Sequence, residues 1–80
     1  PSRYIARAFE HALAFNDTFV DELLREFVSL MKAVDSGKAV GKAAIDECHA
    51  IRRAHPEYTP ETLQRWSELI KKMEVMVKLR

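Results

Sequence analysis

Very little in this sequence interrupts a helix. Its eighty residues include two glycines and three prolines, the residue types least compatible with a helix interior. These fall at few places: Gly37 and Gly41 near the middle, Pro1 at the start, and Pro56 and Pro60 around one short stretch. The single cysteine, Cys48, excludes an internal disulfide and agrees with a reducing, intracellular setting. No apolar run approaches the roughly 20 residues that a membrane helix needs, so no membrane partner is expected. No secretory signal opens the chain. An excess of one charge is also missing. Thirteen Lys and Arg against twelve Asp and Glu leave a net charge of +1, which gives no field strong enough to imply nucleic acid.

What is present favours helix. Hydrophobic residues make up 48% of the chain and charged residues 31%, the balance of a folded globular domain. Ala, Leu, Glu, Lys and Arg are abundant, and all are good helix formers. A chain this short makes one domain with a modest core. It begins at Pro1 without Met and ends inside a helical pattern. We therefore read residues 1–80 as a single domain excised from a longer protein.

Apolar spacing divides the chain into four helical stretches. Ile5, Ala8, Phe9, Ala12 and Leu13 follow a three-and-four rhythm over 3–15, with Ser2 placed to cap the first turn. Asn16-Asp17 breaks the pattern, and either residue can cap the next helix. That helix has the clearest seam, Phe19, Leu23, Phe27, Leu30 and Val34, widened by Val20, Leu24 and Met31. Such a wide stripe predicts a central helix touched on two sides. Asp35-Ser36-Gly37 predicts its end, with Gly37 in the left-handed conformation. Residues 38–54 align Val40, Ala44, Cys48 and Ile51, but Gly41 weakens the start by roughly 1 kcal/mol, so one helix or two short ones fit equally. Ala39, Ala43, Ala44 and Ala50 would allow a neighbour to approach closely. His55-Pro56 closes this stretch. Thr59-Pro60 opens the last helix as cap and first residue, and Leu63, Trp66, Ile70, Met73 and Val77 form its seam. Val75, Met76 and Leu79 make its end greasy on a second side.

The chemistry-bearing residues do not form a catalytic or metal set. Gly37-Lys38-Ala39-Val40-Gly41-Lys42-Ala43 is one residue short of a phosphate loop and has Ala43 where Ser or Thr must hold magnesium. Cys48, His49 and His55 lack the second cysteine and fixed spacing of a structural zinc site. Cys48 sits on an apolar stripe and reads as a small buried hydrophobe. A thiol nucleophile would need an adjacent base, yet Glu47 and His49 diverge from Cys48 on a helix. His11 reads as an exposed polar position. The cations Arg52, Arg53, Arg65, Lys71, Lys72 and Lys78 are spread over several faces, too sparsely for nucleic acid but sufficient to steer an acidic peptide. Trp66 and most Phe residues belong to the core. Some of Tyr4, Phe15, Tyr58, Val75, Met76 and Leu79 should stay exposed, and such a charge-edged apolar patch marks a protein contact.

The second half resembles a known layout. Ile51-Arg52-Arg53-Ala54-His55, followed by Leu63, Trp66, Leu69, Ile70, Lys71 and Lys72, resembles the N-terminal helical domain of the transcription elongation factor TFIIS and related integrase-binding domains over about residues 45–77. His55-Pro56, with Phe27, Leu30 and Met31, also resembles the paired amphipathic helix domains of corepressors. Both resemblances imply the binding of short, disordered, amphipathic segments in transcription regulation, and a nuclear location.

The sequence thus predicts an all-α fold, a compact bundle of four helices with the third continuous or split. The expected function is a non-catalytic protein-interaction module that binds an amphipathic or acidic segment of another protein in a groove between helices. No cofactor and no metal enter this expectation. The groove residues predicted from periodicity are Phe15, Phe19, Leu23, Arg53, Tyr58, Arg65 and Met76. The alternatives are self-association through the last helix, or a small immunity or regulator protein with one protein target.

Overall fold

A computed structural model describes residues 2–15 and 17–79. These form four helices: α1 (Ser2–Phe15), α2 (Asp17–Ala33), α3 (Gly37–Ala54) and α4 (Pro60–Lys78), with no strand among the described residues. The all-α bundle expected from spacing is what the chain forms. Its radius of gyration is 11.9 Å, against about 12 Å for a compact chain of this length.

Element boundaries follow local chemistry. At α4, Thr59 is extended and its hydroxyl accepts the Thr62 backbone N–H at 3.2 Å, with Pro60 at the start of the helix and Glu61 in the first turn. This is the cap predicted from Thr59-Pro60. His55-Pro56 ends α3 as expected, after Ala54. Two local expectations, those for Ser2 and Gly37, need correction. Ser2 lies within α1 rather than ahead of it. Asn16 lies outside the described residues, and α2 begins at Asp17. Gly37 is the first residue of α3, and no described glycine has a positive φ. Gly37 is required for proximity instead: a Cβ there would overlap the backbone carbonyl of Met31. The α2–α3 turn is so tight that the Gly37 N–H reaches the Val34 carbonyl at 3.1 Å.

The hub is α3, not α2. It packs against α1, α2 and α4, whereas α2 packs mainly against α1 and α3. One continuous helix spans Gly37–Ala54. Its buried line is Gly37, Gly41, Ala44 and Cys48, with Ile45 and Ile51 beside it. Small side chains on that line let three neighbours close in. A Cβ on Gly41 would lie 2.6 Å from Met31 Sδ and 2.8 Å from Val77 Cγ2. Gly41 is therefore a contact point between α2, α3 and α4 rather than a weak spot. Of the alanines expected to serve this purpose, Ala44 is buried while Ala39 and Ala50 are exposed.

The core around the hub holds Phe9 and Phe27, which meet edge to face at 6.1 Å, together with Trp66, Met31 and Met73. Burying each side chain of this size stabilises the fold by about 1.5–3 kcal/mol. Cys48 is fully buried, its Sγ 3.9 Å from Met73 Sδ, as expected of a small hydrophobe. Polar ties also join the helices. Arg65 Nη1 donates to the Leu13 carbonyl at 2.8 Å, joining α4 to the end of α1, and Arg52 Nε donates to the Leu63 carbonyl at 3.4 Å.

Candidate functional site

The site begins with the surplus apolar surface of α2. The residues that α2 buries are Val20, Leu24, Phe27 and Met31: Phe27 from the main stripe, and the three that seemed only to widen it. Phe19, Leu23 and Leu30 belong to the stronger seam, yet they turn away from α3. Both sets satisfy a helical period, and packing against the rest of the bundle decides which is buried. The outward set meets the outward face of α1, where Tyr4, Ile5, Ala8, Ala12 and Phe15 recur at helical spacing.

Together they form a furrow along the outer side of the α1–α2 hairpin. It consists of two adjoining hollows of about 430 and 400 Å³ that share Ala8, Leu23 and Glu26. These volumes fall within the roughly 300–1,000 Å³ of ligand-binding clefts. One end holds Phe15 and Phe19, whose rings meet edge to face at 6.2 Å while remaining 70% and 47% exposed. The other end lies between Tyr4, Ile5 and Leu30. The helices run antiparallel, since Phe15 meets Phe19 at one end of the furrow and Tyr4 lies across from Leu30 at the other. Among the described residues, the acidic and basic side chains along the furrow are Glu22 and Glu26 on α2 and His11 on α1, without Lys or Arg.

Of the seven residues predicted for a groove, the structure brings together Phe15, Phe19 and Leu23. Met76 and Arg65 lie on a separate side of the bundle. Met76 lines a hollow of about 560 Å³ between α2 and α4 with Leu24, Arg25, Val28 and Lys72. Arg65 lines a neighbouring polar cleft of about 380 Å³ with Asp21, Glu68 and Lys72, and its guanidinium is anchored on Leu13. Arg53 is exposed in the last turn of α3. Tyr58 is half-buried and stacks on His55 at 4.7 Å. Burial and the neighbouring Glu10 carboxylate raise the Tyr58 hydroxyl above its ordinary pKa, against the lowering effect of a hydrogen bond from Trp66.

His55 links two elements near that ring. It lies 2.6 Å from Glu57 and 3.6 Å from Glu10, and Glu10 also pairs with Arg7 at 3.0 Å. The His55 hydrogen bond holds the Glu57 carboxyl below its ordinary pKa. This chain of polar contacts ties α1 to the α3–α4 turn. Elsewhere, burial and then the charge of Glu47 push the Cys48 thiol up to about 12, so Cys48 remains a protonated thiol near neutral pH. No three His, Cys, Asp or Glu side chains gather in a metal-binding arrangement among the described residues. No described helix is long and apolar enough to cross a membrane.

Sequence reasoning missed Tyr4 and Leu30 as groove residues, and the acidic edge altogether. The available signal was the excess of apolar residues on α2 over what one buried face can use. No family model, curated protein or solved structure shows a significant match to this chain.

Proposed function

We propose that this domain is a non-catalytic protein-interaction module that receives a short amphipathic segment of another protein in the α1–α2 furrow. The observation that carries this role is the exposed Phe15–Phe19 pair at the end of a continuous apolar channel. Two large aromatic side chains left in water are costly unless something covers them, and contiguous apolar surface edged by charge is the usual mark of a protein contact. A groove between two helices suits an amphipathic helix that lays down its apolar face. The resemblance to TFIIS-type and paired amphipathic helix domains supplies a setting in transcription regulation.

The test is affinity capture with the purified domain beside a Phe15→Ser/Phe19→Ser variant, read by mass spectrometry. Both side chains are exposed, so the variant should melt like the parent. It should lose a defined subset of partners, which a synthetic peptide from one of them then competes away. Identical partner sets for the two proteins would refute the role.

A second reading has its own observation. Val75 on α4 and Leu79, the residue that caps its end, lie one turn apart and are 54% and 83% exposed. They support self-association through the last helix. Sedimentation over a range of concentrations tests this, and a monomer throughout would remove it.

A further inference from the structure

We infer that the segment received by the furrow is a helix of about three turns with Lys or Arg flanking its apolar stripe. This rests on the docking role proposed for the furrow and adds the conformation and charge of the guest.

The conformation follows from what the furrow offers. Its walls are two helices whose backbone groups are already paired internally, so they present no sheet edge to an extended strand. A guest must satisfy its own backbone donors and acceptors as it leaves water, and a helix does so. Tyr4 and Phe15 bracket the channel on α1. At 1.5 Å per residue they are about 16 Å apart, or roughly three turns.

The charge follows from the rim. Glu22 and Glu26 are one turn apart on α2, both exposed, and both line the channel. His11 stands on α1, and among the described residues neither Lys nor Arg lines either hollow. The nearby Arg25 turns instead into the hollow between α2 and α4, and Arg7 is drawn toward Glu10. A guest with cations beside its apolar stripe meets two carboxylates, whereas an acidic guest or an anionic lipid surface meets like charge. The same rim argues against a symmetric dimer through this face, because such an interface applies the same acidic patch from both sides. The acidic ligand expected from the scattered arginines is therefore replaced by a basic one, since Arg53 and Arg65 do not line the furrow.

The test uses a displayed library of helix-forming peptides of about 15 residues, randomised over Leu, Ala, Lys and Glu. It is panned against the wild-type domain, Glu22→Lys/Glu26→Lys and Phe15→Ser/Phe19→Ser, each verified as folded by circular dichroism. Wild type should select peptides with Leu at three-and-four spacing flanked by Lys. Synthesised singly, these should bind the charge-reversed variant at least tenfold more weakly, about 1.4 kcal/mol. They should also lose affinity as salt screens the rim. Selection of Glu-flanked or charge-indifferent helices that still need Phe15 and Phe19 would overturn the basic guest while leaving the docking role standing. An absence of binders, or binders indifferent to the Phe15→Ser/Phe19→Ser change, would overturn both. A concentration-dependent dimer abolished by that change would assign the furrow to a second copy and overturn the inference.

Discussion

Replacing Cys48 by alanine should reverse its effect on stability within the alkaline range. At pH 7 the buried sulfur fills space against Met73, and Cys48→Ala leaves a small cavity that costs about 1–2 kcal/mol. The native thiol titrates near 12 rather than at the ordinary 9.0, chiefly because the thiolate would lose its hydration and secondarily because Glu47 repels it. A raised native pKa gives a contribution that is whole below pH 9 and is lost as pH climbs toward 12. Across that window the unfolded chain releases the proton and the native chain keeps it. The unfolding free energy therefore falls by about 1.4 kcal/mol per pH unit from this group alone. Wild type and Cys48→Ala should be equally stable near pH 10, and by pH 11 the variant should be the more stable by about 1 kcal/mol. Urea unfolding of both proteins at half-unit steps from pH 7 to about pH 11 measures the difference directly. Groups common to both, including Tyr58, cancel in the subtraction. Parallel profiles would refute the reasoning, because they would mean that the thiolate is as well solvated in the native protein as in the unfolded chain.

Gly37→Ala should destabilise the protein by about 2 kcal/mol or more, although alanine is the better helix former, because its Cβ would meet the rigid Met31 backbone; thermal melting reads this, and a gain in Tm would show that the turn can open. Arg65→Met keeps much of the stem but removes the donor to Leu13, which should cost about 1–2 kcal/mol by urea titration. His55→Ala should move the Glu57 carboxyl titration, followed by NMR, upward toward the ordinary glutamate range, since His55 is the first cause of its lowered value. In the parent the stabilisation linked to Glu57 is present above that range and fades as pH falls through the lowered value; an unmoved titration would discount the pair.

The fold could be read from residue spacing because each helix carries enough apolar residues to mark its period, and because Thr59-Pro60 and His55-Pro56 punctuate the chain by strong local rules. What spacing could not settle was the use made of each face. Two stripes on α2 are both helical in period, and choosing between them requires knowing where the rest of the bundle lies: Met31 against Gly41 of α3, Val20 beside Leu69 and Leu24 beside Met76 of α4. Gly37 and Gly41 illustrate a related limit. Sequence rules assign a glycine either to a turn or to a weakness, whereas here the absent side chain matters because another element occupies its place. The predicted groove was half assembled for the same reason. Phe15, Phe19 and Leu23 are close in sequence and share one hairpin. Arg53, Tyr58, Arg65 and Met76 depend on how α4 lies across α3, which no local pattern encodes.

The position of α3 beneath its three neighbours also bears on synthesis. The α1–α2 hairpin leaves the ribosome before its support exists. At about 5–20 residues per second, roughly one to four seconds separate the emergence of Ala33 from that of Ala54. During that interval Phe27 can already meet Phe9 of α1, but Val20, Leu24 and Met31 lack their neighbours on α3 and α4, so the nascent hairpin is greasy on both sides. A chain truncated after α2 should therefore expose both faces of the hairpin and fail to form half a domain.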